Sequence, residues 1–138
     1  MSERTVYDDP YATVTYFPDR KLVIYRRKAT PYPDAKTVRA SLEASRASMP
    51  GTRLAHHVFL MDVREGPMRS DPEFESATRD AGPELSKMFL RSAVLVKTAV
   101  GKLQMNRIRQ ERNTAFEVFD DEAKALDYLL PPPATRSA

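Results

Sequence analysis

The sequence predicts an α/β domain built on a mixed, mostly parallel sheet, and three observations carry that prediction. Short runs rich in β-branched and aromatic residues recur along the chain, at 12–17, 22–25, 57–61, 93–96 and 115–119. Most are separated by longer stretches with apolar residues at helical spacing, opening on Asp, Ser or Thr. Only the first two runs lie closer, divided by the turn-forming Pro18-Asp19-Arg20-Lys21. The predicted order is therefore β-β-α-β-α-β-α-β-α, an antiparallel hairpin followed by strands paired in parallel through right-handed crossovers.

Each element has its own justification. In Ala12-Thr13-Val14-Thr15-Tyr16-Phe17 the apolar and polar residues alternate, so Val14 and Tyr16 share one face of a strand. Leu22-Val23-Ile24-Tyr25 completes the hairpin. Pro31 and Pro33 stop pairing, and Asp34 caps a helix reaching about Ser48, with Ala35, Val38, Leu42 and Met49 on one face. Pro50-Gly51 ends it. The nearly continuous apolar run at 57–61 fits a strand covered on both faces, closed by Asp62. Ser70-Asp71-Pro72-Glu73 opens a further helix with Phe74, Ala77 and Ala81 inward, interrupted at Gly82-Pro83. After the strand at 93–96, Thr98 caps a helix to about Arg112, with Val100, Leu103 and Ile108 expected inward and Lys102, Arg109 and Arg112 outward. The last strand, 115–119, leads to a helix opened by Asp120-Asp121-Glu122, with Ala123, Leu126 and Leu130 toward the core. Residues 1–11 read as a flexible lead-in, 12–130 as one domain, and 131–138, opening on three prolines, as a disordered tail.

Composition removes several classes of function. The chain has 138 residues, 41% hydrophobic and 30% charged, which suits a globular domain with one core. No cysteine is present, so thiolate catalysis, iron–sulfur clusters and Cys-type zinc sites are excluded. No apolar run is long enough for a membrane span, and Met1-Ser2-Glu3-Arg4-Thr5 has no signal-peptide character, so a cytoplasmic location is expected. A net charge of +3 is too small and too dispersed to predict nucleic-acid binding.

The residues that could carry chemistry do not assemble into a catalytic set. His56 and His57 are adjacent and point to opposite faces if extended, which is poor geometry for one metal. No Gly-x-Ser-x-Gly elbow occurs, and Gly101-Lys102 lacks the glycine-rich loop of a phosphate cradle. Asp62 ends a buried strand, where open α/β sheets place functional groups, although an Asp before Arg64 and Gly66 also reads as a turn former. Two basic clusters, Arg26-Arg27-Lys28 and the face Lys102, Arg109, Arg112, fit solvated surface, with nucleic-acid or acidic-lipid binding the less favoured alternative. No enzyme activity, metal or cofactor is expected.

The C-terminal half carries a resemblance. Arg91-Ser92-Ala93-Val94-Leu95-Val96, a helix beginning near Val100-Gly101, then Glu117-Val118-Phe119-Asp120-Asp121-Glu122-Ala123-Lys124-Ala125-Leu126 and Tyr128-Leu129 resemble the SpoIIAA-like, or STAS, superfamily. The resemblance spans residues 12–130 and implies a single-layer sheet with helices mainly on one face. It implies a non-enzymatic regulatory or scaffolding module whose relatives bind partner proteins such as anti-sigma kinases, while some hold lipid or nucleotide. It also implies a phospho-acceptor at the start of the helix after the third strand, which here is Ser70. The usual Asp-Ser-Ser or Asp-Ser-Thr triplet is missing, since Arg69 precedes Ser70 and Asp71-Pro72 follows. Phosphate on Ser70 would gain from the helix N-terminus and Arg69 and lose from Asp71.

The expected working surface is the carboxyl edge of the parallel strands, where Asp62, Arg69, Ser70, Lys97, Thr98 and Lys102 should meet. Two helix N-termini and three cations there would suit an acidic loop of a protein partner, a phosphate or a lipid head group. The alternative is a carrier or sensor of a small hydrophobic or anionic ligand, a lipid or an anionic metabolite.

Overall fold

In the computed structural model, which describes residues 3–49, 54–66, 87–112 and 116–130, six strands lie side by side in chain order. They are β1 (Arg4–Asp8), β2 (Ala12–Phe17), β3 (Leu22–Arg27), β4 (Val58–Asp62), β5 (Arg91–Leu95) and β6 (Phe116–Phe119). The β1, β2 and β3 pairings are antiparallel, and β3 through β6 run parallel. Three α-helices stand among the described residues: α1 (Ala35–Ser48), α2 (Ala99–Arg112) and α3 (Glu122–Leu129).

The alternation of side chains divides the core in two. Val23 and Tyr25 face the side where Ala12, Val14, Phe59, Phe89 and Met49 pack, while Leu22 and Ile24 face Leu60, Ala93, Leu95, Ala125 and Leu129. This is why 22–25 is apolar at every position: β3 is covered on both faces, and all four residues are buried. Helix α1 lies on the first face over β1 and β2, α2 lies on the same face against Phe116 and Val118 through Met105, and α3 covers the other. Two of the three described helices thus share a face.

The hairpin turn forms as the sequence implies, with a 3₁₀ turn at Pro18–Arg20 and Lys21 in the left-handed region at φ 51°. Asp34 caps α1 by accepting the Thr37 N–H at 2.7 Å. The inner side of α1 carries Ala35, Val38, Ser41 and Ser45, small enough for the helix to sit close to the sheet.

Three expectations are corrected. Residues 4–8 belong to no flexible lead-in; they form the edge strand β1, which the alternation rule misses because four of its five residues are exposed. Its anchor is Asp9. Oδ1 accepts the N–H groups of Tyr11 and Ala12, both at 2.7 Å, and Oδ2 accepts the hydroxyls of Tyr7 at 2.6 Å and Ser41 at 2.7 Å. One carboxylate therefore ties β1, the β1–β2 turn and α1 together. Burial works against its charge, but these four donors outweigh burial and hold the carboxyl below its ordinary range.

The second correction is the rotation of α2. Val100 and Leu103 point outward, 60% and 68% exposed, whereas Lys102 and Arg109 are half-buried. The cause is Gly101, which is buried: a Cβ there would meet Thr98 Oγ1 at 3.3 Å and Val96 Cβ at 3.5 Å, so the bare backbone seats the helix on β5. Met105, one turn on, then packs against the β5–β6 core. The third correction is similar, since α3 buries Ala125 and Leu129 and leaves Ala123 exposed. The helix expected from Ser70 and the tail at 131–138 lie outside the described residues.

Candidate functional site at the carboxyl edge of the parallel strands

The ladder continues past the strand ends. Val63 donates to the Leu95 carbonyl at 3.0 Å and Val96 donates to that of Phe119 at 2.8 Å, so the segments after β4, β5 and β6 lie in a row. This row contains Asp62, Lys97, Thr98 and Lys102; Arg69 and Ser70 lie outside the described residues.

Asp62 is turned inward and 6% exposed. Its Oδ1 accepts the Arg64 backbone N–H at 3.1 Å and Nε at 3.0 Å, and its Oδ2 accepts Arg64 Nη2 at 2.9 Å together with Arg26 Nη1. Both arginines also reach Glu122 at the start of α3, Arg64 at 2.7 Å and Arg26 at 3.2 Å. Two cations and two carboxylates therefore close a quartet joining β3, β4 and α3. Burial raises the Asp62 pKa, but the hydrogen bonds and charge of Arg64, then Arg26, outweigh it and hold the carboxyl below its ordinary range. Asp62 is both the turn former and a clamp, with its oxygens committed to its own chain.

The basic run Arg26-Arg27-Lys28 is committed as well. Strand alternation sends Arg26 to the α3 face and Arg27 to the other, where its guanidinium lies 4.3 Å over the Tyr32 ring and donates to the carbonyls of Tyr11 and Lys28. Tyr11 stacks against Tyr32 at 4.7 Å. Lys28 pairs with Asp8 of β1. A three-cation cluster in the sequence thus becomes three separate structural attachments.

The α2 side of the row differs. Thr98 caps the helix, its Oγ1 accepting the Gly101 N–H at 3.0 Å and its carbonyl the Lys102 N–H at 3.0 Å. Lys97 and Thr98 are exposed and Lys102 is half-buried. Neither lysine has a carboxylate partner among the described residues, and residues 97–110 contain no Asp or Glu. The helix dipole and two uncompensated ammonium groups together give this end of the edge a positive potential.

The histidines lie at the opposite end of the sheet. His57 is buried with Nε2 3.0 Å from the Tyr16 hydroxyl, while His56 is exposed in the preceding 3₁₀ turn. Among the described residues no three His, Asp or Glu side chains are arranged to hold a metal ion. No described helix is long and apolar enough to cross a membrane.

Sequence reasoning missed the quartet and the outward pair Val100 and Leu103. The only signal of the first was the Asp62-x-Arg64 spacing of an Asx turn, and of the second the glycine at 101.

Comparison with known proteins bears on the fold. No family model and no curated protein matches the sequence. A crystal structure of an uncharacterized protein from the DUF3478 family with a SpoIIAA-like fold, from Shewanella loihica PV-4, superposes with a TM-score of 0.58, covering 93% of this chain and 90% of that one at 16% identity. The chain has the SpoIIAA-like fold. That agrees with the resemblance in its last two strands and helices, and with a sheet whose parallel part is entered through an antiparallel hairpin.

Proposed function

We propose that the chain is a non-enzymatic regulatory or scaffolding module acting inside the cell, and that it binds a partner protein at the carboxyl edge of its parallel strands. The observation that carries this reading is the division of charge along that edge. Asp62 and Glu122 are consumed by Arg26 and Arg64, whereas Lys97 and Lys102, beside the α2 N-terminus, have no carboxylate partner among the described residues. Such a surface favours an acidic loop, and complementary charge accelerates and orients encounter. Arg69 would add to the same potential and Ser70, if phosphorylated, would reduce it. The SpoIIAA-like fold supports a binding role rather than a catalytic one.

The test is a charge reversal. Lys97→Glu with Lys102→Glu should weaken the stoichiometric protein complex recovered from native extract by about tenfold or more, with the melting temperature nearly unchanged, because neither lysine holds an ion pair among the described residues and a carboxylate is favourable beside a helix N-terminus. Unchanged binding in the double variant overturns the assignment of the surface. Native mass spectrometry that finds a retained small molecule and no protein partner would instead favour the carrier of a hydrophobic or anionic ligand.

A further inference from the structure

We infer that the outer face of α2 extends this edge and receives an acidic amphipathic protein segment, one with an apolar pair flanked by carboxylates. The inference rests on the reading of the edge as the partner-binding surface and names the chemistry of the partner. Val100 and Leu103 are three residues apart, so they lie side by side on the helix, 60% and 68% exposed. Their exposure follows from the fold rather than from chance, because Gly101 and Met105 take the sheet-facing positions. Gln104 and Arg107 continue the outer stripe and are exposed, and from Ala99 to Arg107 it runs about 12 Å.

Among the described residues, the charges flanking this pair are of one sign. Lys97 lies just before it and Arg107 one turn beyond, and neither has a carboxylate partner among the described residues. Glu117, the acid of β6, is taken by Arg109 at 3.2 Å. An occupant must therefore bring two things: apolar side chains to cover Val100 and Leu103, and carboxylates to meet Lys97 and Arg107. A helix or extended segment reading an i, i+3 pair supplies both. An anionic bilayer fits less well, since a helix lying in a membrane needs an apolar stripe along its whole length and this one turns polar at Gln104.

The experiment selects phage-displayed random 16-residue peptides on the full chain and measures the enriched sequences by fluorescence anisotropy. Enrichment of peptides with an apolar pair flanked by Asp or Glu is expected, with affinity falling as salt rises. Val100→Ser with Leu103→Ser, and separately Lys97→Glu with Arg107→Glu, should each weaken binding by about tenfold or more without loss of the folded circular-dichroism spectrum. No enrichment, or enriched peptides without carboxylates, overturns the inference. Peptides that respond to Lys97→Glu with Lys102→Glu but not to Val100→Ser with Leu103→Ser keep the edge and overturn the α2 face; peptides indifferent to all three pairs overturn both. Vesicles of equal phosphatidylcholine and phosphatidylglycerol are the control, and serine-sensitive vesicle binding without peptide binding would assign the face to lipid.

Discussion

Replacing Asp62 tests whether the quartet holds the edge together. Asp62→Ala removes the carboxylate shared by Arg26 and Arg64 and leaves both guanidinium groups with Glu122 alone. Removing one partner of a fully buried ion pair costs about 3–5 kcal/mol. Here the carboxylate is 8% exposed but the arginines are 38% and 34% exposed, so they can turn toward water and part of the cost is recovered. A loss of about 2–3 kcal/mol is expected, which for a chain of this size lowers the melting temperature by roughly 6–12 °C. Urea denaturation followed by circular dichroism measures it, with Asp62→Asn as comparator because an amide oxygen can still accept the Arg64 N–H. The pH dependence gives a second, independent arm. The folded pKa of Asp62 is depressed, so its contribution is present above the unfolded value of about 4 and is lost as pH falls through the folded one. The gap between wild type and Asp62→Asn should therefore be full at neutral pH and shrink in acid. A loss below about 0.5 kcal/mol, within the range of ordinary surface substitutions, or a gap that stays constant into acid, would refute the reasoning.

Leu95 is fully buried between Leu60 and α3, so Leu95→Ala should cost about 2–5 kcal/mol in chemical denaturation, and a cost near zero would contradict its central position. Asp9→Ala should loosen β1 selectively, seen as faster hydrogen exchange at residues 4–8 than at 22–25; equal acceleration throughout would mean that the edge strand is not an independent unit. The Tyr7 hydroxyl is pushed up to about 12, first by its hydrogen bond to Asp9 and then by burial. Its stabilising contribution is full below the unfolded value of about 10 and lost as pH rises through the folded one, and ultraviolet titration of wild type against Tyr7→Phe should show the missing tyrosine above the ordinary tyrosine range.

How much of this was legible follows from the range of the information required. Five of the six strands and the three described helices announce themselves locally, since alternation, a capping Asp or Thr and a breaking Pro or Gly act within a few residues. Strand β1 did not, because an edge strand with one half-buried side chain needs no apolar alternation. Helix phase also failed where the weighting favoured large apolar residues: in α2 the absence of a side chain at Gly101 decides which face meets β5, and a hydrophobicity pattern cannot register an absence. The quartet lay further out of reach. Arg26 and Asp62 are opposite each other only because β3 and β4 pair in that register, and Glu122 arrives from the turn after β6. Lys97, Thr98 and Lys102 lie near one another because they occupy the turn after β5 and the first turn of α2.

The same reasoning explains how a chain with a net charge of only +3 can carry a polarised edge. Composition counts charges without regard to partner, whereas the fold assigns each one. On the α3 side, a parallel register and a helix N-terminus bring equal numbers of cations and carboxylates into contact, and they cancel. On the α2 side, the turn after β5 is short, the helix is capped by a neutral Thr98 rather than an Asp, and no acid follows before Glu111. Had position 98 been Asp, the cap would have formed equally well and its charge would have offset Lys97. A neutral cap at this one helix start therefore separates the neutralised quartet at the α3 end of the edge from the α2 end, where the proposed partner would bind.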